Sequence, residues 1–268
     1  TSLSSNVIWS LLVDSKQRLW VGTIETGLSL YDRAHDRFIN FYPYPEDSSP
    51  NERRSVFSIL EDHCGNLWLA TVGSGIVHVV IPAITGSNDL DSLARGMHFR
   101  RFPLGTPLNW AYDLCERKDG KILVASDCGL IVLDPATYEL SRPHLTDPLG
   151  RRLDSLAVRC LFQRSDGELW LGTATQGLFR VDWNNRTVAN HRHRDEDSLS
   201  IKVDEISDIA EDRRGDLWIG TIYGIDLFSP TAEHCVPYLT VSQPPPGVKG
   251  MRLSVDHTGT LWVGTRSG

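Results

Sequence analysis

Cysteine, basic charge and long apolar runs are all scarce in this sequence of 268 residues. The five cysteines form no Cys-x-x-Cys pair and are odd in number, which argues against a zinc site and against a fully paired disulfide framework. A formal net charge of -7 argues against nucleic acid as a partner, because phosphate binding needs a clustered basic surface. No run of about 18 apolar residues occurs, so no membrane-spanning helix and no direct membrane contact are predicted.

Sequence motifs that carry common chemistries are missing as well. We find no nucleotide-binding glycine loop and no Gly-x-Ser-x-Gly nucleophile elbow. His191 and His193 stand two residues apart, a spacing that could place two imidazoles on one side of a strand around a metal. The run of charges around them favours a solvated strand edge instead. The sequence therefore predicts no catalytic residue, no cofactor, no metal site and no enzyme within this chain.

What the sequence does contain is one sequence motif in six copies, called the repeated phrase below. Residues 212–221 read DRRGDLWIGT, and related phrases lie at residues 14–23, 62–71, 118–126, 165–173 and 256–265. The tryptophan position of the phrase recurs every 44 to 55 residues, at Trp20, Trp68, Leu123, Trp170, Trp218 and Trp262. A repeat of this period is typical of a propeller, a solenoid or an array.

Each repeat divides into four short apolar or alternating runs, bounded by glycine, aspartate and other turn residues. Such runs are typical of strands joined by hairpins, and four strands per repeat make a propeller blade. We therefore predict an all-β propeller of four-stranded antiparallel blades, one partial propeller domain over residues 1–268. The predicted blades are 6–50, 51–107, 108–154, 155–203, 204–247 and an incomplete blade 248–268, about five and a half in all.

Physical reasons can be given for the repeated phrase. The Asp-x-x-Gly segment predicts a turn whose last residue takes a left-handed conformation, which glycine adopts without a Cβ penalty; Gln17 departs from this pattern. The tryptophans are predicted to fill the core between neighbouring blades. The small residue two positions later, such as Gly22 or Gly172, is predicted to let another backbone approach.

An arc of blades leaves strand edges and an inner wall uncovered, since propellers protect their edges by radial closure. We therefore expect the chain to be a fragment of a longer protein, or another copy to supply the closing surface.

The repeats resemble the two-component regulator propeller repeat. The resemblance lies in residues 197–221 and 46–62 and in the following segments GLSLYD at 27–32, CGLIVLD at 128–134 and QGLFRVD at 176–182. It implies a seven-bladed propeller in the extracytoplasmic, periplasmic region of a bacterial inner-membrane receptor. It further implies an output domain elsewhere in the receptor, a histidine kinase of a phosphorelay or a diguanylate cyclase. In gut members the signals are breakdown products of polysaccharides.

The predicted partners are a small-molecule or oligosaccharide ligand, the rest of the receptor chain and a second copy in a homodimer. Ligand sites favour concave places with a few convergent polar groups, and in propellers the corners after the second strands and the inter-blade loops gather on one face. Trp110 stands outside the repeated tryptophan position, and beside arginine and Asn109 it would suit a sugar or an anionic glycan. The candidate ligand-binding residues are Glu25, Arg53, Arg54, Trp110, Arg151, Arg152, Gln176 and Tyr223.

Two other functions remain open. One is a free-standing enzyme resembling streptogramin lyase, which would need a histidine and a glutamate converging on the central face near a divalent metal. Glu25 could supply the glutamate, but no second-to-third strand corner contains a histidine. The other is a structural or dimerisation module of a receptor.

Overall fold

The computed structural model describes residues 2–24, 26–42, 55–82, 90–106, 108–150, 152–164, 166–240 and 251–265. These residues form twenty-two strands and one helix. The first two sheets contain β1 (Ile8–Val13), β2 (Leu19–Thr23), β3 (Gly27–Asp32) and β4 (Arg37–Phe41), then β5 (Val56–Glu61), β6 (Leu67–Thr71), β7 (Gly75–Val80) and β8 (His98–Phe102). Helix α1 (Leu90–Gly96) lies between β7 and β8.

The later sheets repeat the same arrangement. The third contains β9 (Ala111–Glu116), β10 (Ile122–Ser126), β11 (Gly129–Asp134) and β12 (Glu139–Ser141), and the fourth β13 (Val158–Gln163), β14 (Leu169–Thr173), β15 (Leu178–Asp182) and β16 (Thr187–His191). The fifth contains β17 (Ile206–Glu211), β18 (Leu217–Thr221), β19 (Gly224–Ser229) and β20 (His234–Thr240). In the described part of the chain the sixth consists of β21 (Arg252–Val255) and β22 (Leu261–Gly264).

Strands in each sheet pair in chain order, which is the meander of a propeller blade. The predicted fold class, an all-β propeller of four-stranded antiparallel blades, is therefore confirmed. The chain divides into two compact units, unit 1 with residues 1–127 and 132–140 and unit 2 with residues 128–131 and 141–268. The predicted blade boundaries and the total of seven blades stay predictions.

The turn between the first and second strands has the predicted geometry. In the second sheet the Gly65 amide donates to the Asp62 carbonyl at 2.8 Å, and Gly65 has a φ of 80°. The Asp62 carboxylate also accepts the amides of Cys64 and Asn66, both at 2.9 Å. Gln17 takes the same place in the first sheet with a φ of 62°, so the turn retains its left-handed residue even without glycine.

The same aspartate orients the tryptophan of the second strand. The indole nitrogens of Trp20 and Trp68 donate to the carboxylates of Asp14 and Asp62, both at 2.8 Å. Both tryptophans are fully buried, and burying an indole N–H is favourable only when it has an acceptor. In the first two sheets the turn and the core are therefore coupled through one carboxylate.

Core tryptophans lie between consecutive sheets, as predicted. Trp20 of the first sheet packs in one cluster with Val56 and Ile59 of the second, and Trp170 of the fourth packs with Ile206 and Ile209 of the fifth. The prediction is wrong for Trp262, which is 64% exposed. Trp218 is half-buried.

Glycine two positions after the tryptophan makes room for the next sheet. A Cβ on Gly172 would lie 2.4 Å from the Cys160 sulfur and 2.6 Å from Cγ2 of Ile206 in the next sheet. At Gly22 the carbonyl oxygen of Val56 would lie 2.8 Å away. The close approach that the sequence predicted is confirmed at both positions.

We predict that Gly172→Ala destabilises the protein by about 1–3 kcal/mol, because the added methyl group overpacks the junction between two sheets. The measurement is the midpoint of urea unfolding followed by circular dichroism. Gly264→Ala is the matched control, since its Cβ would meet nothing closer than 3.8 Å. Equal effects of the two substitutions would contradict this account.

Candidate functional site

Two ends of each sheet can be distinguished. At one end, called the corner end, the chain enters the first strand and the second strand turns into the third. The opposite end, called the tip end, carries the Asp-x-x-Gly turn between the first and second strands. Threonine closes four of the corners by donating its hydroxyl across the turn. The bonds run from Thr23 to the Gly27 carbonyl at 3.0 Å, from Thr71 to Gly75 at 2.8 Å, from Thr173 to Gly177 at 2.8 Å and from Thr221 to Gly224 at 3.1 Å.

Four of the eight candidate residues, Glu25, Arg53, Arg54 and Arg151, lie outside the described residues. The other four, Trp110, Arg152, Gln176 and Tyr223, lie at the corner ends of their sheets.

Trp110 is half-buried immediately before β9. Its carbonyl accepts the Asp127 amide at 3.1 Å, and its ring meets the edge of Tyr112 with centroids 6.2 Å apart. Asn109 beside it has a φ of 48°, and its side-chain oxygen accepts the Leu104 amide at 2.9 Å. That oxygen therefore holds the loop before β9.

The side chain of Arg152 is occupied by a carboxylate. Its Nε and a terminal nitrogen donate to the two oxygens of Asp154 at 2.8 and 2.5 Å. This fork-like pairing is the main reason why the pKa of Asp154 lies below its usual value. The Asp154 side chain is nearly fully buried. Arg152 therefore neutralises a buried acid at the base of its loop.

Gln176 and Tyr223 are held at their corners in the same way but differ in their other contacts. The backbone amide of Gln176 donates to the Thr173 hydroxyl at 2.9 Å, and that of Tyr223 donates to the Thr221 hydroxyl at 3.1 Å. The Gln176 carbonyl also accepts the side-chain amide of Asn190 at 2.8 Å, whereas the Tyr223 residue is 37% exposed.

A depression of about 440 Å³ lies next to Gln176 in unit 2. Arg192 in its wall donates through Nε to Asp204 at 2.9 Å, and Nδ1 and Nε2 of His193 bond to the Ile201 carbonyl at 2.9 Å and to Asp195 at 3.0 Å. These polar groups are held by fixed partners, so they present a preformed surface. The lining residues are Asp147, Pro148, Leu149, Asn190, Arg192, His193 and Arg194.

The histidine pair considered for a metal does not converge. His191 packs on the rings of Trp170 and Phe228, and burial lowers the pKa of its imidazole. His193 bonds elsewhere, as described above. Within the described residues no group of three or more histidine, cysteine or acidic side chains is placed to bind a metal, and none of the five cysteines forms a disulfide bond.

A row of aromatic side chains, not anticipated from the sequence, lies along the first strands of unit 1. The ring centroids of Trp9 and Phe57 are 4.7 Å apart, and those of Phe57 and Tyr112 are 5.7 Å apart and stacked. Trp110 joins the row through Tyr112. Trp9, Phe57 and Trp110 are half-buried, whereas Tyr112 is 8% exposed. These four residues are called the aromatic row below.

Backbone bulges produce this row. Trp9, Phe57 and Tyr112 are the second residues of β1, β5 and β9, and each is skipped in the pairing with its second strand. A bulge re-aims the side chain of the extra residue and is often found beside functional sites. Arg159 and Ser207 hold the same bulged position in the fourth and fifth sheets.

At the tip ends, a glutamate at the end of a first strand contacts the turn of the preceding sheet. Glu61 accepts the amide and hydroxyl of Ser15, both at 2.7 Å, and Glu116 accepts from the His63 ring at 2.5 Å. The bond to Glu116 raises the pKa of His63. His63 and Glu116 line a depression of about 370 Å³ with residues 117–120.

Comparison with known proteins places this architecture among propellers. Four segments, residues 2–25, 51–73, 152–175 and 200–223, match the family model described as the two-component regulator propeller. They cover the first two strands of the first, second, fourth and fifth sheets. No curated protein matches the chain in sequence.

Solved structures with the same fold include extracellular domains of proteins assigned to two-component systems and an enzyme. One is the extracellular domain of a Bacteroides thetaiotaomicron protein assigned to a hybrid two-component system, with a TM-score of 0.71 and 19% identity over 98% of this chain and 33% of that one. A second such B. thetaiotaomicron domain gives 0.54 and 18% over 96% of this chain and 40% of that one. Virginiamycin B lyase from Staphylococcus aureus gives 0.69 and 13% over 98% and 80%. The chain thus spans about a third of the first structure's length, and at these identities the likeness shows the fold alone.

In the described chain no helix is long and apolar enough to cross a membrane.

We predict that the His63–Glu116 pair makes stability depend on pH. Because the folded-state pKa of His63 is raised, its stabilisation is fully present below about 6.5, the ordinary histidine value, and is lost as pH rises through the raised value. Wild type should therefore exceed Glu116→Gln in urea midpoint at pH 6, and the gap should shrink by pH 9.

The control is His98→Gln, which removes an exposed histidine on β8 and should leave the pH dependence unchanged. A gap between wild type and Glu116→Gln that is constant from pH 6 to 9 would contradict the role of His63.

Proposed function

Because the chain contains two-component regulator propeller repeats, we propose that it is the ligand-sensing propeller of a bacterial two-component sensor. In this proposal it lies in the periplasm, as part of an inner-membrane receptor whose histidine kinase or diguanylate cyclase output is elsewhere in the protein. The two extracellular sensor domains with the same fold support this assignment, and the chain itself acts as a binding module, not an enzyme.

The observation that carries ligand binding is the aromatic row. The bulge is part of the fold, since the first five sheets all have it. The fold does not require an aromatic residue at the bulge, because the fourth and fifth sheets have Arg159 and Ser207 there. The stacked rings are therefore available for a task other than folding. Half-buried rings offer flat apolar surfaces, and ligand sites are lined mainly by such groups.

The ligand class that fits best is an uncharged sugar or another small molecule with a flat apolar face. The bulged positions of unit 1 hold Trp9, Phe57 and Tyr112, none of which carries a charge at neutral pH. Trp110 extends the row toward the corner of the third sheet, where the hydroxyl of the buried Thr106 donates to the carboxylate of the half-buried Asp127 at 3.2 Å. An oligosaccharide would place C–H faces on the rings and hydroxyl groups near the corner.

The test begins with titration calorimetry against a panel of neutral and uronic-acid oligosaccharides, followed by substitutions in the aromatic row. We expect a neutral oligosaccharide to bind, and Trp110→Ala and Phe57→Ser each to weaken binding tenfold or more, about 1.4 kcal/mol. Serine at residue 57 is compatible with the bulge because Ser207 occupies the same place in the fifth sheet.

Trp262→Ala is the matched control. Trp262 is an exposed tryptophan outside the aromatic row, so its loss should leave the affinity unchanged. Full affinity in the Trp110→Ala and Phe57→Ser variants would reject the aromatic row. Loss of affinity in an Arg194→Ala variant alone would instead assign the ligand to the unit 2 depression.

A lyase is the second candidate, favoured by the fold shared with virginiamycin B lyase. The S. aureus enzyme was crystallised with quinupristin. Incubation of the present chain with quinupristin and Mg²⁺, followed by mass spectrometry, is expected to leave the compound unchanged. Turnover would make the chain an enzyme. A purely structural or dimerisation module is the remaining alternative, and it predicts that no ligand of the panel binds.

A further inference from the structure

His78 on β7 is a buried polar side chain that lacks a hydrogen bond. The residue is 5% exposed, and among the described residues neither Nδ1 nor Nε2 of its ring has a partner. Buried polar groups are nearly always hydrogen-bonded, because leaving one unpaired costs free energy. Such an exception calls for an explanation in terms of what the side chain does.

The fold itself does not require a histidine at this place. His78 pairs with Trp68, the second-strand tryptophan of its sheet. The residues that pair with the corresponding tryptophans of the first, fourth and fifth sheets are Leu30, Arg180 and Leu227. Leucine is therefore compatible with the position, whereas histidine places there a group that titrates near neutral pH.

The imidazole of His78 belongs to a cluster of rings within unit 1. It stacks on Trp68, with ring centroids 4.0 Å apart and planes at 9°. Tyr138, in the turn between β11 and β12, lies 5.8 Å from the His78 ring and stacks on Phe102 of β8 at 5.1 Å. His78 is thus part of the contact between the second sheet and the β11–β12 turn.

The groups that face His78 disfavour a positive charge on its ring. Burial is the main cause that lowers the pKa of the imidazole, and Arg100, its pairing partner on β8, lowers it further. Asp62 of the tip turn acts in the opposite direction, but its carboxylate already accepts two amides and the Trp68 indole. The β11–β12 turn presents the Tyr138 ring, over which the Arg100 guanidinium lies at 4.2 Å.

Stacking on an indole would by itself favour a charged imidazole through a cation–π interaction. The charged ring, however, would bring a second N–H into a place that offers no acceptor, close to the permanent charge of Arg100. Burying an unpaired charge is far more costly than burying a neutral polar group. The neutral ring of His78 is therefore the form that this stack accepts.

We propose that His78 is an acid-sensitive contact, whose protonation drives the ring out of its stack on Trp68 and releases the β11–β12 turn from the second sheet. Because the pKa of His78 is lowered in the closed form, the contact is fully stable above about 6.5, the ordinary histidine value, and loses stability as pH falls below it. Each pH unit below this value raises the ratio of open to closed form by up to about tenfold.

Hydrogen exchange measured by mass spectrometry tests this proposal, with His78→Leu as the variant. The peptide covering residues 134–140 should exchange faster in wild type than in His78→Leu at pH 5. The ratio of the two rates should be about tenfold larger at pH 5 than at pH 7.5. Comparison of two proteins at the same pH removes the contribution of His191, whose pKa burial also lowers.

The control peptide covers residues 19–32 in the first sheet, where the ratio should not change with pH because the opening is local. His98→Gln is the matched control variant, since it removes an exposed histidine on β8 of the same sheet, and it should exchange like wild type. A ratio for residues 134–140 that is the same at both pH values overturns the proposal. An equal change in residues 19–32 also overturns it, because the opening would then be global.

A second measurement does not depend on the folding of a variant. In wild type, the NMR signals of the His78 ring, identified by their proximity to Trp68, should remain those of a neutral imidazole at pH 6. Protonation of His78 at pH 6.5 or above, with residues 134–140 still protected from exchange, overturns the proposal, because the stack would then accept the charged ring.

Discussion

The structure depends on the contact between a second-strand tryptophan and the first strand of the following sheet. Burying an aromatic side chain of this size contributes several kcal/mol, and truncating it to alanine typically costs about 3–5 kcal/mol. The indole N–H must be satisfied at the same time, and a carboxylate in the turn does this for Trp20 and Trp68. Local turn chemistry and packing between sheets are therefore parts of one arrangement.

Much of the fold was predictable because the sequence repeats the same motif. The period, the strand order and the turn follow from six copies of one phrase, which corroborate each other where any single copy is ambiguous. Gln17 shows that the turn survives loss of its glycine, since neighbouring bonds hold the residue at a positive φ. Helix α1 was not predicted, because seven residues in a single copy of an insertion carry no periodic signal. Trp262 was wrongly predicted to be buried, because the repeat pattern identifies the tryptophan position but does not show whether another sheet packs against it.

The candidate site was less accessible from the sequence. Trp110 could be singled out because it breaks the repeat, and it does lie at a corner beside other rings. The rest of the aromatic row was missed because a bulge is a property of strand register, which pattern alone does not reveal. Alignment of the first strands would have placed Trp9, Phe57 and Tyr112 in one column, and that is the signal to seek in similar chains. Arg152 was chosen for its charge, but a buried acid already occupies it.

The fourth sheet shows how far its repeat has become tied to its surroundings. Arg164 replaces the turn aspartate and reaches the next sheet, donating to Glu211 at 2.8 Å and to the Gly215 carbonyl at 3.1 Å. The indole nitrogen of Trp170 donates instead to the Glu168 carboxylate, at 2.9 Å. The fourth repeat therefore carries substitutions that the facing residues of the fifth accommodate. A graft of the fourth blade into another propeller would therefore need Glu211 and the turn at Gly215 to be transferred with it.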